Sequence, residues 1–78
     1  MRPKELQCIV TFRTTTEAMR LEQAAKAAGF QGRLIPVPRE ITAGCGLSWK
    51  EAAASRASLE AFLEEKKLGY DNIYELVI

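Results

Sequence analysis

Pro36 and Pro38 stand two residues apart at the end of the apolar run Arg33–Val37. Backbone N–H groups alternate in direction along a strand, so the two missing donors fall on the same side. A strand with neighbours on both flanks does not tolerate losing two ladder bonds from one of them. The run is therefore an edge strand, with its proline side turned to solvent. Any fold assigned to this chain must leave the segment at the rim of a sheet.

The other elements follow from periodicity. Leu6, Cys8, Val10 and Phe12 alternate on one face among β-branched residues, which predicts a first strand over Leu6–Phe12. Thr14 followed three positions later by Glu17 is a capping box, so a helix should start at about Thr15. Ala18, Leu21, Ala25 and Ala28 give that helix an apolar stripe, Glu22 and Lys26 pair on its wet side, and Gly29 is the expected stop. After the edge strand come a loop from Arg39 to Gly44 and a short strand around Leu47, Ser48 and Trp49. Ser55 is expected to cap a second helix with Leu59, Phe62, Leu63 and Leu68 inward, Lys66 and Lys67 near its end and Gly69 closing it. Asn72–Ile78 predicts a last strand.

The order β-α-β-β-α-β is that of the ferredoxin-like α+β fold. It has a four-stranded antiparallel sheet, order 4-1-3-2, with two helices on one face. That strand order puts strand 2 at an edge, as the two prolines independently require. The 78 residues suffice for a single domain, 1–78, with one small core.

Charge and composition remove several function classes. Eleven basic and ten acidic residues are interspersed for a net charge of +1, so nothing argues for nucleic-acid binding. No apolar stretch is long enough for a membrane span, and the N-terminus lacks the apolar core of a signal peptide. A cytoplasmic protein without membrane contact is the expectation. There is no histidine, which removes the commonest general base and metal ligand. Cys8 and Cys45, 45 − 8 = 37 positions apart, form no metal-type spacing, so two reduced thiols and no cofactor are expected.

Cys45 is the residue that points to chemistry. It lies between Gly44 and Gly46, which leave a thiol unscreened by neighbouring β-carbons and let a partner approach the backbone. The fold carries the loop Arg39–Cys45 to the end of the sheet where the first helix begins. Free N–H groups at Thr14, with Arg13 and Arg39, favour negative charge there. A thiol in that place is expected to ionise more readily than a free one, and the thiolate is the nucleophile. The flanking glycines fit a tight hairpin bend equally well, and Arg13 and Arg39 fit plain surface charges. Cys8, in register with Val10 and Phe12, reads as a core residue. Trp49 and Tyr74 read as sheet-face packing residues.

The chain resembles a selenium/sulfur carrier-like family of small bacterial proteins. The resemblance rests on I-V-T-F-R-T-T-T-E-A (Ile9–Ala18), G-R-L-I-P-V-P-R-E-I-T (Gly32–Thr42) and C-G-L (Cys45–Leu47). It implies a carrier protein, not a stand-alone enzyme, that holds sulfur or selenium as a persulfide or perselenide on Cys45. A cysteine desulfurase-type donor and an acceptor protein are the partners it implies. The alanine-rich stretch Trp49–Ala57 departs from the pattern, because the family runs more directly into its second helix.

The competing reading is a non-catalytic interaction or ligand-binding module that regulates or assembles a partner enzyme, with a homodimer through the C-terminal strand as one form of it. Phosphate chemistry of the acylphosphatase kind would need an asparagine near the first helix, and Asn72 is the only asparagine. A lone thiol makes a poor soft-metal site. RNA binding through the sheet would need basic residues beside exposed aromatics.

Overall fold

The computed structural model describes residues 4–41 and 45–78. The elements are β1 (Leu6–Thr11), α1 (Thr15–Ala27), β2 (Arg33–Pro36), β3 (Leu47–Ala52), a 3-10 turn (Ala53–Ser55), α2 (Arg56–Glu65) and β4 (Asn72–Val77). The four strands form one antiparallel sheet in the order β2-β3-β1-β4, which is the expected order read from the other edge. The ferredoxin-like expectation therefore holds.

The ladder leaves both prolines on the solvent side of the edge strand. Val37, between the two prolines, donates its N–H to Gly46 O at 3.0 Å, so the positions either side of it face away from β3. Pro36 pairs with Leu47 at a position where no donor is needed. Counted as a strand, the segment stops at Pro36 instead of running to Val37.

Both helices pack on one face. Cys8, Val10, Phe12 and Trp49 from the sheet meet Ala18, Leu21 and Ala25 from α1 and Leu59 and Leu63 from α2 in one buried cluster. Phe30 and Phe62 close one flank of it, ring centroids 5.1 Å apart. Leu6, expected on the same face as Cys8, lies beyond the helices and is exposed. Ile9 and Thr11 point to the opposite face, yet both are buried. The stems of Lys50 and Tyr74, the cross-strand partners of Ile9, flank it there.

Helix α1 begins and ends as its sequence dictates. Thr14 Oγ1 accepts the N–H of Glu17 at 3.2 Å. At the other end Gly29, at φ 90, is the left-handed residue of a Schellman turn in which Phe30 N–H reaches Ala25 O at 3.0 Å. Helix α2 corrects two expectations. Ser55 makes no side-chain cap bond, because β3 runs on to Ala52 and the chain enters α2 through a 3-10 turn. Gly69 does not end the helix either. Lys67 takes the left-handed position at φ 54, and Leu68 N–H bonds Leu63 O at 2.9 Å.

A lysine in that position carries a backbone cost that glycine lacks. Lys67→Gly should therefore raise unfolding free energy by roughly 0.5–1 kcal/mol in urea denaturation. An unchanged or lower midpoint would contradict the assignment of strain to this turn. A β-carbon at Gly69 would meet only the tip of the flexible Glu17 side chain.

Candidate functional site

The hairpin between β2 and β3 delivers Cys45 to one end of the sheet. The last pairs are Pro36 with Leu47 and Thr11 with Ser48, and α1 starts four residues after Thr11. Cys45, Arg13 and Thr14 therefore share that end, as the topology predicted. Val37–Gly46 extends the hairpin one bond beyond β2, with Gly46 at φ 79, a backbone state that a side chain would strain.

The thiol itself is half-buried, not free in solvent. It packs against the helix-side cluster, and Sγ–H lies 3.6 Å from Leu47 O, a weak contact that orients it. A side chain in this setting can be reached from outside while its rotamer is held. Gly44 and Thr42 lie outside the described residues.

Arg13 and Arg39 are both exposed. Arg39 sits in a turn closed by Ile41 N–H on Pro38 O at 3.0 Å. Among the described residues, no hydrogen bond or ion pair joins Cys45 to Arg13, Thr14 or Arg39. The α1 N-terminus is served from within the chain: Thr14 caps Glu17, and the Glu17 carboxylate accepts the Arg13 N–H at 2.9 Å. Thr14 is thus a helix cap at the site's edge, and Arg13 and Arg39 are exposed side chains.

Residues that sequence reasoning passed over hold this end together. Thr11 O accepts the Asp71 N–H at 2.7 Å, and Thr11 Oγ1 accepts the Asn72 N–H at 3.2 Å. These bonds pin the start of β4 beside the Cys45 end. At the far end a buried carboxylate, Glu51, accepts the Trp49 indole N–H at 3.0 Å and the Gly32 N–H at 3.2 Å. Trp49 is more than the packing residue it reads as. The spacing Trp49–Glu51, two apart in a strand, is the signal that would place both on one face.

The second thiol is of another kind. Cys8 is wholly enclosed, 0% exposed. Burial pushes it up to about 11; Arg56 pulls the other way, and Glu60, Glu75 and Glu51 add to the rise. Arg56 bridges Glu60 at 2.8 Å and Glu75 at 2.6 Å above it. Among the described residues no three His, Cys, Asp or Glu side chains are grouped to hold a metal ion, and no helix is long and apolar enough to cross a membrane.

A family model described as "Putative Se/S carrier protein-like" matches residues 7–75, nearly the whole chain. No curated protein and no solved structure matches it.

Proposed function

Because the chain belongs to the Se/S carrier protein-like family, we propose that it carries sulfur or selenium on Cys45 between a donor and an acceptor protein. One observation carries the reading: of two thiols, Cys8 is sealed in the core and Cys45 stands half-exposed at a hairpin end. The C-G-L segment on which the resemblance rests contains this same cysteine, which supports the reading.

The chemistry needs one thiol and no metal. The Cys45 thiolate attacks the outer sulfur of a donor persulfide. That S–S bond breaks, the donor cysteine leaves as a thiolate, and Cys45 now bears the persulfide. The transferred sulfur keeps its oxidation state, so no external oxidant or reductant enters. An acceptor thiolate repeats the exchange in the forward direction. Arg13 and Arg39 supply positive charge that favours the anionic sulfur chain, and the half-buried setting limits its loss to small thiols in solution. A cytoplasmic location fits this chemistry, since it needs the reduced thiol.

Incubation with a cysteine desulfurase and cysteine, followed by intact mass measurement, tests the reading. Wild type and Cys8→Ser should each gain the mass of one sulfur atom, released by dithiothreitol, and Cys45→Ser should gain none. A selenium donor run in parallel distinguishes the two elements. Equal loading of Cys45→Ser, or none on wild type with several donors, would remove Cys45 from the role.

A second reading, an interaction module, is favoured by one feature: among the described residues no strand pairs with the outer edge of β4.

A further inference from the structure

The two edges of the sheet are built differently. At the β2 edge the outward-facing positions include Pro36 and Pro38, which offer no donor. At the β4 edge the pairs bonded to β1 run through Ile78, as its two bonds with Glu5 at 3.1 and 3.3 Å show, and hence through Leu76 and Tyr74. Ile73, Glu75 and Val77 therefore direct their N–H and C=O groups away from the sheet. The Ile73 N–H is already taken by Asn72 Oδ1 at 2.9 Å. Among the described residues that leaves the Ile73 C=O and, disposed symmetrically about Leu76, the N–H and C=O of Glu75 and of Val77.

The devices that usually protect an edge are missing here. Asn72–Val77 contains no proline and no lysine, and its register with β1 has no bulge. Its one charge, Glu75, is bound to Arg56 at 2.6 Å. Val77 is 57% exposed and its neighbour on β1, Leu6, 47%. An unprotected edge with an exposed apolar pair beside it is a surface made for another strand.

We propose that β4 pairs antiparallel with β4 of a second copy about a two-fold axis at Leu76, joining two four-stranded sheets into one of eight. In this register Glu75 exchanges both backbone bonds with Val77 of the second copy, and Val77 with its Glu75. Leu76 meets its own copy on the open face, with Tyr74 against Ile78 on either side. A register centred on Glu75 would set the two Arg56-bound carboxylates side by side and is disfavoured by their like charge. Leu76 facing Leu76 and Tyr74 facing Ile78 match apolar to apolar along the open face, and this self-complementarity of side chains is the ground for a second copy as the occupant. This surface lies apart from Cys45, and its existence does not depend on the carrier reading.

Sedimentation from about 10 µM to 1 mM, with amide exchange by NMR at both ends of the range, tests the pairing. Wild type should pass from monomer to dimer, and the Glu75 and Val77 amides should become protected only at the high concentration. Leu76→Lys sets two ammonium groups against each other at the axis. Val77→Pro removes a donor that the isolated fold does not use. Both variants should stay monomeric with unchanged circular dichroism. A wild type that is monomeric at the top of the range overturns the proposal, as does a dimer in either folded variant. Should a variant unfold, the wild-type amides decide: protection at Glu75 and Val77 that does not change with concentration also overturns it.

Discussion

In a Cys45→Ser variant at pH 8, Cys8 should react with iodoacetamide at least about a hundred times more slowly in the folded chain than in urea. Two effects combine. With its thiol at about 11, only on the order of one folded molecule in a thousand holds Cys8 as thiolate at that pH, against roughly a quarter for a free thiol. Reagent must also reach a side chain that is 0% exposed, which requires a local opening of the core. The same burial has a thermodynamic signature. The unfolded thiol loses its proton from about pH 9 upward while the folded one keeps it, so the unfolded state binds fewer protons and stability falls as pH rises through about 9 to 11. The full difference is on the order of 2–3 kcal/mol. It should appear as a loss in wild type, beyond that of Cys8→Ala, in urea titrations across this range. Equal folded and unfolded rates would place Cys8 at the surface and give the protein two candidate carrier thiols.

Gly32→Ala should be severely damaging for so small a substitution, costing about 3 kcal/mol or more. A β-carbon at Gly32 would collide with the Lys50 carbonyl oxygen and lie 2.5 Å from Glu51 Oε1 and 2.7 Å from Trp49 Nε1. The carbonyl is backbone and cannot swing aside, because Lys50 pairs with Arg33 in the β2–β3 ladder. Relief must come from moving the start of β2, which removes the Gly32 N–H from a carboxylate only 4% exposed. Gly29→Ala is the control. Its β-carbon would meet nothing within 4 Å, so only the left-handed backbone opposes it, at about 1 kcal/mol. Urea midpoints that fall equally in the two variants would refute the steric account of Gly32.

Much of the fold was legible because local chemistry and global topology made the same demand. Pro36 and Pro38 required an edge, and the strand order supplied one. Thr14, Glu17 and Gly29 fixed both ends of α1 through bonds made within the helix and its caps. The errors fell where a local signal had a rival. Ser55 is a good cap by type, but β3 extends past Trp49 and turns the chain into α2 by a 3-10 step, leaving that hydroxyl without the capping role. Gly69 is a good helix stop by type, but the helix ends before it, and Lys67 bears the turn instead.

The site divides in the same way. From the sequence alone came the position of Cys45 at a glycine-flanked hairpin, its place at the α1 end of the sheet, and the burial of Cys8; each follows from strand alternation and chain order. Tertiary structure decided that the Cys45 thiol packs half-buried against the core, and that Glu51, Trp49 and Gly32 converge at the far end. It also decided that Asn72 closes one outward donor of β4 and, among the described residues, leaves two open. Those outcomes depend on which distant groups meet across the sheet, and a buried carboxylate or a capped edge amide is stable only once its partner has been brought within hydrogen-bond distance.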